Sequence, residues 1–240
     1  MNKAPKSYPT YKRPWPYRLL FGAWRLFRRT PQFINDNETL NPQAIFLANH
    51  SGLSGPLVQG LYFPTFIVPW GTYEMTDGYR SRWRFMYQTT YREKMYFGRC
   101  KAFVLATFVA FFSPIVYHAA KLIPTYPDLR LLKTFRRSAA ALKAYKGIII
   151  FPEDSETGYH ERLVGLYRGF VVLHRMMKRR YHLDVPVYPV YYHKKRHTVL
   201  IGKAESMQPL LDQGLDDDAI ADYFLAKINA LHDRLAEKSA

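Results

Sequence analysis

Short apolar runs alternate with segments of helical periodicity along most of the chain. The segments 43–49, 65–70 and 147–154 are built around uninterrupted apolar residues, which is typical of strands buried on both faces of a sheet. Between them, apolar positions recur at helical spacing, most clearly over 129–147, where Gly147 supplies a stop signal. This alternation predicts an α/β fold with a mainly parallel central sheet flanked by helices.

The first 40 residues have a different pattern. Four prolines predict an extended arm over 1–16, and 17–29 predicts an amphipathic helix with most of its arginines off the apolar stripe. A basic amphipathic helix with Trp and Phe on its apolar side suits a membrane interface, and packing on the domain is the alternative. We therefore divide the chain into a basic N-terminal arm with an interface helix, 1–40, and an α/β domain, 41–240. The stripe comprises Leu19, Leu20, Ala23, Trp24 and Phe27.

The run 102–120 contains no Asp, Glu, Lys or Arg and approaches the length needed to cross a bilayer. Pro114 interrupts the run, and Ser113 and His118 are polar. These features favour a buried or half-inserted helix over a transmembrane one. Such a helix would either enter the bilayer or stay within the protein.

The formal net charge of +16 changes the picture because it is unevenly placed. Residues 1–30 carry eight Lys or Arg and no acid, which indicates a polyanionic partner: anionic lipid or nucleic acid. The aromatic and basic segment 79–101 could stack bases but carries no RNA-binding motif. We therefore favour an anionic lipid surface and predict no nucleic-acid partner. Cys100 is the only cysteine, which fits a reducing compartment.

Two polar clusters follow predicted strands and carry the candidate chemistry. "NHSGLSGP" follows 44–48, and "EDSETGYH" follows "IIIFP". In an open α/β sheet the carboxyl ends of the strands line the ligand crevice, so both clusters belong to one candidate site. His50 directly follows a buried strand and precedes a helix start. It is either a general base or a polar residue that ends the strand.

The order of "NHSG", "FPEDSE", "LYRGF" and "VPVYPV" resembles the lysophospholipid (1-acylglycerol-3-phosphate) acyltransferase superfamily over about residues 41–235. The resemblance implies a glycerolipid acyltransferase-like fold. It also implies that His50 is the general base that activates an acceptor hydroxyl to attack the thioester of acyl-CoA or acyl-ACP, with no metal or further cofactor. The residues expected to bind substrate are Asn49, Ser51, Glu153, Asp154, Ser155, Glu156 and Arg168.

The chain departs from the family pattern at two places. Gly55 stands where the family has the aspartate that orients the histidine. Glu156 stands where the family has an arginine, and Asp154 replaces a glycine, so this end of the site is acidic rather than basic. Loss of an orienting carboxylate can lower a rate by about 10⁴ in a related hydrolase geometry.

The sequence thus predicts an O-acyltransferase that acts on a lysophospholipid or related glycerolipid. The alternative is a catalytically impaired lipid-binding member of the same fold. We expect a peripheral or monotopic protein on the cytoplasmic face of a membrane, with anionic lipid and acyl-CoA or acyl carrier protein as partners. The acceptor lipid and the oligomeric state stay open.

Overall fold

The computed structural model describes residues 8–27, 29–52, 54–154 and 158–237. The chain divides into two compact units. We call Met1–Lys12, Arg28–Val68 and Phe135–Ala240 the sheet unit, and Arg13–Phe27 and Pro69–Thr134 the helical unit.

A seven-stranded sheet with the order β1-β7-β6-β2-β5-β3-β4 forms the framework. The β2 strand pairs in parallel with β5 and with β6, whereas β6 and β7 are antiparallel. The predicted α/β class with a mainly parallel sheet flanked by helices is therefore confirmed. The strands are β1 (Gln32–Asn35), β2 (Ile45–Ala48), β3 (Ile67–Thr72), β4 (Ile123–Thr125), β5 (Gly147–Ile150), β6 (Val187–His193) and β7 (Thr198–Ile201).

The core of the sheet unit lies along β2 and β5, whose residues are all buried. Continuous apolar side chains make this possible because a parallel strand must bury both of its faces. Leu47 is paired with Ile150 in the ladder between the two strands. Their carboxyl ends are therefore level, and the residues that follow each strand enter the same edge of the sheet.

The helices of the sheet unit are α2 (Ser54–Tyr62), α5 (Leu131–Lys143), α6 (Gly169–Tyr181), α7 (Gln208–Asp212) and α8 (Asp217–Glu237). The helix α5 begins in the helical unit. Two of these helices carry charged residues at their ends: α8 has Asp217 and Asp218 in its first turn, and α6 has three cations in its last turn. Both placements complement the helix dipole.

The helical unit contains α1 (Trp15–Phe27), a 3₁₀ turn (Tyr73–Met75), α3 (Gly78–Phe85), a π-helix (Met86–Lys94) and α4 (Arg99–Ala120). By length and composition, α4 is the one helix within the described residues that could cross a membrane. It stays continuous through Pro114, which has no N–H to donate to the carbonyl of Ala110. The guanidinium of Arg82 takes over that role, with Nε 2.8 Å from the Ala110 oxygen.

The helix α1 packs on the carboxyl end of α4 through Tyr17 and Phe21, which contact Ala119 and Ala120. Leu19, a member of the predicted apolar stripe, is instead exposed. The side chains of the other members, Leu20, Ala23, Trp24 and Phe27, lie outside the described residues. The N-terminal helix thus exists, and its membrane-facing side stays a prediction.

Candidate functional site

The candidate site lies at the carboxyl edge of the sheet, where β2 and β5 end. The backbone N–H of His50 donates to Glu153 Oε2 at 2.9 Å. The N–H of His160 lies 3.3 Å from the other carboxylate oxygen, Oε1. Glu153 is buried. Because its side chain accepts a hydrogen bond from His50, it joins the two polar clusters that the sequence places in one site. The two oxygens of Glu153 thus hold the backbone at His50 and at His160 together.

Asn49 fixes the end of β2 from the other side. Its Oδ1 accepts from the Tyr192 N–H at 2.7 Å, and its Nδ2 donates to the Tyr192 carbonyl at 3.1 Å. The side chain is fully buried and imitates one more residue of a strand pair with β6. Asn49 therefore positions the residue that follows it, and its predicted role in substrate binding stays a prediction.

The imidazole of His50 lies between two aromatic rings. The Tyr159 ring stacks on it at a centroid distance of 4.7 Å and an angle of 12°, and Phe151 meets it edge-on at 5.4 Å. The Nδ1 atom is buried. Burial closes Nδ1 to a substrate, so any proton transfer by the ring would have to use Nε2.

Gly55 packs directly against the backbone of His50. A Cβ atom built on Gly55 would lie 2.2 Å from the His50 carbonyl oxygen and 2.9 Å from the carbonyl carbon, both closer than real Cβ contacts. The chain reaches this packing through a turn in which Ser51 and Gly52 both have positive φ angles. No aspartate can stand at position 55 without displacing the backbone of the candidate base. The packing of α2 therefore leaves no room for the carboxylate that the resembling superfamily has at this position.

Ser51, the other residue of this turn expected to bind substrate, is partly exposed. Its carbonyl accepts a hydrogen bond from the Ser54 hydroxyl at 2.9 Å. This bond joins the turn that follows the candidate base to the first residue of α2. Ser51 lies beside His50 because it is the next residue in the chain, and its predicted role in substrate binding stays a prediction.

Tyr159 was not among the residues predicted from sequence, although it lies in the quoted cluster "EDSETGYH". The segment that carries it is tied to β6 and α8. The Tyr191 hydroxyl donates to the Glu161 carbonyl at 2.7 Å, and Leu163 exchanges two backbone hydrogen bonds with the Asn229 side chain. Burial raises the pKa of Tyr191, so its hydroxyl keeps the proton that it donates. These buried contacts hold the segment over the imidazole.

Asp154 lies at the acidic end of the site and has two described hydrogen bonds. The N–H of Asp154 donates to the Gly165 carbonyl at 3.0 Å, and the Tyr167 hydroxyl donates to Asp154 Oδ1 at 3.2 Å. Ser155 and Glu156 lie outside the described residues. The predicted roles of these two residues stay predictions.

Arg168, which is among the residues expected to bind substrate, lies just before α6. Its guanidinium pairs with Asp218 on the first turn of α8 at 2.9 Å, and both side chains are more than half exposed. An exposed pair of this kind is weak, so it holds Arg168 loosely and leaves the cation accessible to an anion. The ion pair therefore directs the Arg168 guanidinium to α8.

Within the described residues, no three His, Cys, Asp or Glu side chains are grouped as a metal site would require. His197, which the sequence places four residues after His193, has both ring nitrogens engaged. Nδ1 lies 3.0 Å from the Tyr192 hydroxyl, and Nε2 lies 2.7 Å from the Arg29 carbonyl. His197 therefore fastens the segment before β1 to the end of β6.

A scan against protein-family models finds no match to the chain, and a search of curated proteins finds no significantly similar sequence. The likeness to the acyltransferase superfamily therefore remains a resemblance carried by short motifs and their order.

Proposed function

We propose that the protein is an O-acyltransferase with a glycerolipid acyltransferase-like fold. It moves a fatty acyl group from acyl-CoA or acyl-ACP to a hydroxyl of a lysophospholipid or related glycerolipid. The observation that carries the proposal is the placement of His50: its backbone is bound to a buried carboxylate at the carboxyl edge of the sheet. General bases work best when held in one geometry on a rigid element, and this edge is where open α/β sheets bind ligands.

The reaction follows from that geometry. His50 Nε2 takes the proton of the acceptor hydroxyl as the oxygen attacks the thioester carbonyl carbon. The tetrahedral intermediate collapses, the C–S bond breaks, and the imidazolium returns its proton to the leaving thiolate. An ester and a free thiol result, with no oxidation or reduction. General-base assistance of this kind contributes about 10²–10⁴-fold to a rate.

The helix α1 supplies the proposed contact with an anionic membrane on the cytoplasmic side. Trp15 and Leu19 are exposed on this helix together with Arg18 and Arg25. Tryptophan and cationic side chains on one short helix are typical of segments that lie at a membrane–water interface. In a peripheral or monotopic location, the protein would bind an acceptor lipid directly from the membrane, and the lipid would not have to enter the water.

A second candidate function, lipid binding without turnover, is favoured by the packing at Gly55. The orienting aspartate of the resembling family cannot be accommodated there, because its Cβ would collide with the His50 carbonyl. Tyr159 also covers one face of the imidazole. Without that aspartate, His50 would be a slow base in a site that still binds lipid.

The test is release of free thiol from palmitoyl-CoA by the full-length chain in the presence of a panel of lysophospholipids. We expect acceptor-dependent release that falls about 10²-fold or more in His50→Ala. His182→Asn is the matched control, because His182 is an exposed histidine with positive φ, a conformation that asparagine tolerates. Its rate should equal that of the unaltered protein.

Two results would reject the enzymatic proposal: no thioester cleavage with any lysolipid, or an unchanged rate in His50→Ala. Saturable binding of a lysolipid without thiol release, equal in the unaltered protein and in His50→Ala, would select the binding function instead.

A further inference from the structure

The helix α4 has the reverse of the side-chain distribution expected for a helix on a water-soluble protein. Its buried side consists of small residues, and its exposed side consists of large apolar ones that are 45–67% exposed. Soluble helices bury large side chains and expose polar ones, whereas membrane helices place small residues at protein contacts and large residues toward lipid. The buried residues are Ala102, Ala106, Ala110, Ser113, Ala119 and Ala120; the exposed ones, which we call the α4 apolar face, are Phe103, Val104, Phe108, Phe111, Phe112 and Ile115.

Cations mark both ends of this face. Arg99 and Lys101 lie at the start of α4 and Lys121 lies just past its end, and all three are exposed. No charged residue lies between them. Lysine and arginine at the ends of an apolar segment reach the phosphates of anionic lipids while the segment enters the acyl region. The charge pattern therefore matches a lipid surface rather than a second protein.

The charged helix α3 is hydrogen-bonded to the middle of α4. Arg82, on α3, donates to the Ala110 carbonyl of α4 at 2.8 Å and to the Met75 carbonyl at 3.0 Å. Trp83 Nε1 donates to Thr107 Oγ1 at 3.0 Å. If α4 crossed a bilayer, these bonds would carry Arg82 and the charged helix α3 to the bilayer centre, which is energetically costly.

We propose that α4 is a monotopic membrane anchor that lies in the plane of an anionic bilayer. The α4 apolar face enters the acyl region, and both ends of the helix stay on one side of the membrane. The inference deepens the membrane association of the proposed function by naming its surface and orientation. It does not depend on acyl transfer.

Vesicle binding tests the surface. The full-length chain is sedimented with vesicles of phosphatidylcholine and phosphatidylglycerol, and Phe111→Asp is compared with Leu129→Asp. Both residues are large, apolar and exposed, at 67% and 88%, but Leu129 lies outside α4. We expect Phe111→Asp to weaken partitioning about tenfold or more, since burial of one phenylalanine is worth about that factor, and Leu129→Asp to bind as the unaltered protein does.

The single cysteine tests the orientation. Cys100 is exposed in the first turn of α4, and Lys121→Cys in a Cys100→Ser background places a thiol at the other end. Each protein is bound to preformed vesicles and treated with a membrane-impermeant maleimide. We expect both thiols to react from outside, to the same extent before and after the vesicles are lysed with detergent.

Three results would overturn the inference. The first is equal vesicle binding by Phe111→Asp and the unaltered protein, with circular dichroism showing both folded. The second is a thiol at one end that reacts only after lysis, which would make α4 a transmembrane helix. The third is a dimer that Phe111→Asp dissociates, seen by light scattering, in a protein that does not bind vesicles. None of these results bears on acyl transfer, which the thiol-release assay tests separately.

Discussion

Substitution of Gly55 by alanine tests whether the packing of α2 against His50 requires a residue without a side chain. A Cβ at this position would meet the His50 carbonyl oxygen at 2.2 Å, and the neighbouring atoms are backbone, which cannot rotate away. Overpacking of this kind costs about 1–3 kcal/mol. A glycine-to-alanine change in a helix would otherwise stabilise by about 1 kcal/mol, with a smaller gain in the first turn. We expect the free energy of unfolding to fall by about 1–2 kcal/mol.

The assay is urea unfolding followed by circular dichroism, with Gly22→Ala as the matched control. Gly22 also lies within a helix, but a Cβ there would meet nothing within 4 Å. Alanine at Gly22 should therefore leave stability unchanged or raise it by up to about 1 kcal/mol. The same experiment on Gly55→Asp asks whether this site accepts the aspartate of the resembling superfamily, and we expect a larger loss of stability and no gain in thiol release.

The reasoning is refuted if Gly55→Ala is as stable as Gly22→Ala. It is refuted equally if Gly55→Asp accelerates thiol release while the protein keeps its stability. Either result would mean that α2 can move away from His50 at little energetic expense.

Two further predictions concern buried polar groups. Asn49→Ala should lower the free energy of unfolding by about 2–4 kcal/mol in urea titrations, because the N–H and carbonyl of Tyr192 each lose a buried partner; a loss below about 0.5 kcal/mol would contradict this. Burial lowers the pKa of His174, so the folded state disfavours its protonation relative to the unfolded state. Its contribution to stability is complete above the unfolded pKa of about 6.5 and is lost as pH falls toward the lowered folded pKa. Unfolding measured between pH 7.5 and pH 5 should show a smaller acid-induced loss in His174→Gln, and an unchanged slope would refute the assignment.

The strands and helices that the sequence predicts well are those whose signal is local. The runs around β2 and β5 contain only apolar residues, and the periodicity of α5 spans several turns. Other elements were missed. The strand β1 is short and partly exposed, so it lacks a continuous apolar run. The π-helix has mixed aromatic and basic residues without a clear period.

The candidate site was predictable in its location but not in its contacts. His50 and Glu153 follow strands of a parallel sheet, and the carboxyl ends of such strands share an edge, so their proximity follows from the fold class. The stacking of Tyr159 on His50 has no such local signal. It depends on a segment that Asn229 and Tyr191 hold in place from distant elements.

The sequence by itself determined the α/β class, the position of His50 and the uncharged run that becomes α4, because each is written in consecutive residues. Tertiary structure decided what surrounds them. The packing of α2 on the His50 carbonyl excludes a side chain at Gly55. The hydrogen bond from Arg82 to the Ala110 carbonyl attaches the charged helix α3 to the middle of α4. Both join atoms far apart in the chain or across a turn, and their distances exist only once hydrophobic burial has brought the elements together.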